Sequence, residues 1–82
     1  MVQRYFRFSL LITPPTVDDS RSADLLYAGG CDDATFGVCN GEYSIDFDRA
    51  AYSLGEAVMS ALQNVYNSKI GSQVHNIVIE PN

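Results

Sequence analysis

The sequence predicts an α+β fold, a ferredoxin-like βαββαβ sandwich with a four-stranded antiparallel sheet and two helices on one face. Three observations carry this expectation. Apolar residues alternate with a period of two around residues 4–12 and again between 35 and 48, the mark of strands with one buried face. An Asn40-Gly41 pair divides the second alternating region, and Asn-Gly is the strongest short hairpin signal because both residues tolerate positive φ. Two stripes at helical spacing then fall between the strands and set the order strand, helix, strand, strand, helix, strand. Right-handed crossovers place the first and third strands side by side in the middle of the sheet.

The first strand is Arg4-Tyr5-Phe6-Arg7-Phe8-Ser9-Leu10-Leu11-Ile12, with Phe6, Phe8, Leu10 and Ile12 on one face and Tyr5, Arg7, Ser9 and Leu11 on the other. Pro14-Pro15 ends it by removing backbone donors. Asp18 and Asp19 bring negative charge to a helix start, and Ala23, Leu26, Tyr27 and Gly30 follow at helical spacing, so the first helix spans about 18–28 before Gly29-Gly30. Phe36 and Val38 belong to the next strand, and Tyr43, Ile45 and Phe47 to the one after the turn. Ser53-Leu54-Gly55-Glu56 has capping-box spacing and opens the second helix. Leu54, Ala57, Val58, Ala61, Leu62 and Val65 form its stripe, closed by Lys69 and Gly71. Val74 to Ile79 is the last strand, ended by Pro81. The expected core is Phe6, Phe8, Leu10, Ile45, Phe47, Val58, Ala61, Leu62 and Val65. The opposite face carries Arg7, Ser9, Ser44 and Asp46, with Arg7 positioned to pair with Asp46 or Asp48.

Length and charge narrow the function classes. Eighty-two residues are one domain, 1–82, that buries only about 60 to 65% of its unfolded surface and has no room for both a core and a buried cofactor pocket; no cofactor is expected. Ten acidic against five basic residues give a net charge of -5, the wrong sign for direct nucleic-acid binding or an anionic membrane surface. The longest charge-free apolar run, 8–17, contains two prolines and is far below the roughly 20 residues of a membrane span. Met1-Val2-Gln3-Arg4 has no signal-peptide apolar region, so a cytoplasmic location is expected.

Candidate chemistry is sparse. Cys31 and Cys39 are eight positions apart and His75 is the single histidine, which does not fit the four ligands of a closed zinc site. Free thiols are the leading reading, with a disulfide and a metal site behind it. Asp32-Asp33 and Asp46-x-Asp48 could form an acid/base or metal cluster. However, Asp46 and Asp48 alternate with apolar Ile45 and Phe47 and so point outward. Asp32 and Asp33 follow a glycine turn where Asp makes local backbone bonds. A solvated acidic face is the simpler account. One histidine without a nucleophile elbow supports no catalytic triad, so no catalytic residue, no metal ligand and no enzyme is expected.

The run Ala28-Gly29-Gly30-Cys31-Asp32-Asp33-Ala34-Thr35, the block Ile45-Asp46-Phe47-Asp48-Arg49-Ala50-Ala51-Tyr52-Ser53-Leu54 and the helix Glu56-Ala57-Val58-Met59-Ser60-Ala61-Leu62-Gln63-Asn64-Val65 resemble the amino-terminal domain of small bacterial helix-turn-helix DNA-binding proteins. Nearly the whole chain is covered. Gly55 departs from that pattern, standing where an acidic helix former is expected, and the sequence stops at Glu80-Pro81-Asn82, where those relatives continue into the DNA reader. DNA reading is therefore carried over to no residue. The resemblance implies a regulatory or oligomerisation module that contacts protein.

The functional expectation is a non-catalytic protein-interaction module acting through an acidic surface, with Asp32, Asp33, Asp46 and Asp48 as partner-binding residues and a basic protein as partner. The alternative is a stand-alone phage or mobile-element inhibitor of the anti-CRISPR type. Such a nucleic-acid mimic would occupy a basic channel of a host complex. A homodimer is also expected, since the uncharged last strand forms a sheet edge with nothing to block pairing.

Overall fold

The computed structural model of the chain describes residues 2–81. β1 (Arg4–Ile12), α1 (Asp19–Ala28), β2 (Ala34–Cys39), β3 (Glu42–Ala51), α2 (Leu54–Ser68) and β4 (Val74–Ile79) follow one another in the expected order. The strands form one antiparallel sheet in the order β2-β3-β1-β4. This is the ferredoxin-like arrangement, with β1 and β3 paired along their whole length from Arg4↔Ala51 to Ile12↔Tyr43. Among the described residues no helix is long and apolar enough to cross a membrane.

The helices cover the sheet face that alternation assigns to the core. Phe8, Leu10 and Ile12 of β1 and Ile45 and Phe47 of β3 are buried beneath Leu26 of α1 and Ala57, Ala61 and Val65 of α2. Phe8 and Phe47 face each other in register and stack, ring centroids 5.2 Å apart at 11°. Three expected core residues, Phe6, Val58 and Leu62, are only partly buried at its margin. For Val58 and Leu62 the reason is the row Ala57-Ala61-Val65, spaced by four, in which the two alanines bring that line of α2 closest to the sheet and leave Val58 and Leu62 on its flank.

The buried face of α1 also differs from the expected Ala23-Leu26-Tyr27 stripe. Ser22 and Leu26 are buried, whereas Tyr27 is 69% exposed. Ser22 can be interior because its hydroxyl donates to the Asp18 carbonyl at 2.9 Å. Gly29 lies so close to α2 that a Cβ there would come within 3.1 Å of the Asn64 carbonyl oxygen and 3.2 Å of Ser68 Cα. Helix–helix approach, rather than apolarity, selects this face.

Local signals explain the element ends. Asp18 accepts from Arg21 N at 2.8 Å, and Ser53 accepts from Glu56 N at 3.2 Å, each satisfying an orphan helical donor. Asn40 and Gly41 both have positive φ, 53° and 79°, as a two-residue hairpin requires. At the end of α2 the left-handed cap is Lys69, at φ 58°, instead of the glycine expected there. Gly71, at φ 84°, serves the next turn, where any Cβ would collide with the Thr16 side chain. That turn is laced to the loop after β1 by Thr16 N to Ile70 O and Thr13 N to Gln73 O, both 2.9 Å.

Candidate functional site

The face of the sheet opposite the helices is uncovered. Along β3 it presents Ser44, Asp46 and Asp48, and along β1 the register places Leu11, Ser9 and Arg7 beside them. Both Asp46 and Asp48 are exposed, because they occupy the phase of β3 opposite to buried Ile45 and Phe47. Ser9 Oγ donates to Asp46 Oδ1 at 2.7 Å. Arg7, expected to pair with either carboxylate, sits across from Asp48 with Nε 4.0 Å from Oδ2, both side chains more than half exposed. Exposed pairs of this kind contribute about 0 to 1 kcal/mol, so the contact orients more than it stabilises. A shallow depression of about 250 Å³ runs between these groups and Thr35 and Glu80.

Asp32 is exposed on the loop leading into β2. Asp33, expected to point outward with the other three, does not. Its carboxylate accepts a two-pronged contact from Arg49, Nε to Oδ2 at 2.7 Å and Nη2 to Oδ1 at 2.9 Å, and only 29% of its side chain is exposed. The structure thus brings Asp46 and Asp48 together on one face, leaves Asp32 on a neighbouring loop and turns Asp33 inward.

Arg49 is the reason. It continues the inward phase of β3, Ile45-Phe47-Arg49-Ala51, and is 8% exposed. Besides Asp33 it donates to the Gly30 carbonyl and to Ser60 Oγ, each at 3.0 Å, and its guanidinium lies 5.0 Å from the centre of the Phe47 ring. One side chain therefore ties β3, the α1–β2 loop and α2 together. The Asp33 hydrogen bonds raise the Arg49 pKa further, against the opposing effect of burial, so the cation is permanent. This network was missed at the level of residue patterns. The available signal was an arginine in the apolar phase of a strand.

Cys31 and Cys39 are both free, the first buried and the second exposed. They stand beyond and at opposite ends of β2, too far apart for the roughly 6 Å Cα separation of a disulfide. Burial, reinforced by Asp33 and Asp32 and opposed by Arg49, pushes the Cys31 thiol up to about 11. Its sulfur is therefore a neutral core atom rather than a nucleophile. Among the described residues no three His, Cys, Asp or Glu side chains converge as a metal site.

No protein family, curated protein or solved structure matches the chain.

Proposed function

We propose that this chain is a non-catalytic protein-interaction module, regulatory or oligomerising in role, whose acidic open sheet face receives a basic protein partner. The observation that carries this reading is the pair Asp46 and Asp48, exposed side by side in the middle of a sheet face that no helix covers. A rigid strand holds them, and Ser9 holds Asp46 in turn, so little ordering entropy is lost on contact. Asp32 adds charge beside them. Asp33, committed to Arg49, contributes its field but offers no free carboxylate. Such a patch accelerates encounter with a cationic surface and makes the rate fall with salt.

Arg7 supports a protein partner over nucleic-acid mimicry. Its guanidinium stands among the carboxylates and breaks the one-signed row that a phosphate backbone presents. The experiment is affinity capture from host lysate at graded salt, followed by calorimetry on the captured protein. Changing Asp32, Asp46 and Asp48 together to Lys weakens the complex about tenfold or more, roughly 1.4 kcal/mol, and flattens its salt dependence. Unchanged affinity and salt dependence refute the acidic-face reading. Displacement of the chain from its partner by DNA or RNA favours the inhibitor instead.

A further inference from the structure

We propose that a second copy of this chain pairs antiparallel with the free edge of β4, about a two-fold axis at Ile77, extending the sheet to eight strands. This goes beyond the acidic-face reading and stands independently of it. The register supplies the first argument. β4 pairs with β1 as Ser9↔Val78 and Leu10↔Ile77, and Glu80 N donates to Arg7 O. In an antiparallel ladder main-chain groups alternate in direction. Those of Val78 and Glu80 therefore turn toward β1, and those of Ile77 and Ile79 turn to the open edge. The Ile77 amide is indeed directed away from β1, donating to Asn76 Oδ1 at 2.9 Å. A two-fold through Ile77 opposes each Ile77 to its counterpart, so the outward groups of one copy meet those of the other in a closed, isologous contact centred there, short of His75, where the β1–β4 register shifts between Leu11↔Asn76 and Ile12↔Val74.

The surface beside that edge supplies the second. Ile77, Val78 and Ile79 are 38 to 45% exposed. Between β4 and the end of α2 runs a groove of about 880 Å³ walled by Leu62, Val65, Tyr66, Ile70 and Val74. The same two-fold stands perpendicular to the sheet, so it sets both α2 helices and both grooves on one side of the joined sheet. A foreign extended peptide satisfies the edge but brings no second helix to that side. A second copy brings both in one operation.

Charge supplies the third. Two molecules that each carry -5 repel wherever their carboxylates meet. Neither edge strand contains a carboxylate, but the β2 edge is flanked by Asp32, Asp33 and Glu42, whereas the β4 edge is flanked by Glu80 and its groove wall adds Lys69. The β4 side is where like copies approach with least repulsion, and strand addition there requires the partner's carbonyl to displace Asn76 Oδ1 from the Ile77 amide.

The test is sedimentation of the full chain over a concentration series, with the fold of each variant checked by circular dichroism. The expected species is a dimer of the 9.0 kDa chain. Ile77→Pro removes an outward amide that β1 does not use, so the fold tolerates it as edge strands do, and dimerisation weakens about tenfold or more. Ile77→Lys opposes two cations at the axis and acts likewise, while Val38→Lys on the β2 edge leaves the dimer intact. In a Cys39→Ser background, Ile77→Cys crosslinks between copies on mild oxidation, since directly opposed hydrogen-bonded pairs lie about 5.5 Å apart. A chain that stays monomeric at about 1 mM overturns the proposal, whether or not an extended peptide then binds the edge. So does a dimer indifferent to both Ile77 variants, or a folded Ile77→Cys dimer that does not crosslink.

Discussion

Removing the Arg49 side chain tests the account of how this small fold is held together. In Arg49→Met, Asp33 loses both prongs of its ion pair, and the Gly30 carbonyl and Ser60 hydroxyl lose a donor. Removing one partner of a fully buried ion pair costs about 3 to 5 kcal/mol. Asp33 keeps 29% of its side chain in solvent, so water recovers part of that, leaving about 2 to 3 kcal/mol. A domain of this size has a total stability of about 8 kcal/mol at roughly 0.1 kcal/mol per residue, so the loss is large. In urea, with a slope near 1 kcal/mol per molar, the midpoint followed by circular dichroism falls by about 2 to 3 M. Adding Asp33→Asn to Arg49→Met removes the stranded charge and restores about 1 to 2 kcal/mol, a coupling that a double-mutant cycle reads directly. Arg49→Lys retains charge but not the planar fork and loses about half as much as Arg49→Met. A loss under about 0.5 kcal/mol for Arg49→Met, or singles that simply add, would falsify the reasoning.

Four further outcomes follow from packing and ionisation. Phe47→Ala removes the ring stacked on Phe8 and lowers stability by about 3 to 5 kcal/mol in equilibrium denaturation, a loss under 1 kcal/mol excluding a core position. Gly71→Ala forces both a left-handed backbone and a collision with Thr16. It costs about 1 to 3 kcal/mol, and Thr16→Ser in the same chain does not remove the backbone part of that loss. Cys39 reacts with a thiol reagent at once in the native protein, and Cys31 only on unfolding, since one is exposed and the other buried. Because the Cys31 thiol is raised from 9.0 to about 11 in the fold, the unfolded chain releases that proton first. The associated stability is whole below pH 9 and declines as pH rises toward 11, by an amount on the order of 2 kcal/mol. Cys31→Ala removes this alkaline decline, and a decline that persists unchanged in the variant refutes its assignment to Cys31.

What the residue order alone determined is local. The alternation through Phe8 and Leu10, the Asn40-Gly41 turn and the Ser53 cap each depend on neighbours a few positions away, so their geometry is written where they stand. Together with the handedness of crossovers they are enough for the order β2-β3-β1-β4. Outward placement of Asp46 and Asp48 was likewise legible, because a strand's period is two. Asp33 was not, because its partner lies 16 positions on and local rules speak only for turns. Burial of Ser22 in α1 and the need for Gly29 at its end depended on how closely α2 approaches, and the need for Gly71 on Thr16, a residue brought against it only by the fold. Tertiary structure also decided which part of the sheet stays uncovered, leaving Ile77 and Ile79 exposed on the edge strand β4. Apolar periodicity marks a surface that seeks cover. How far each helix extends over it depends on backbone separations that small residues such as Ala57, Ala61 and Gly29 set between segments distant in sequence, and those separations arise only when the segments meet.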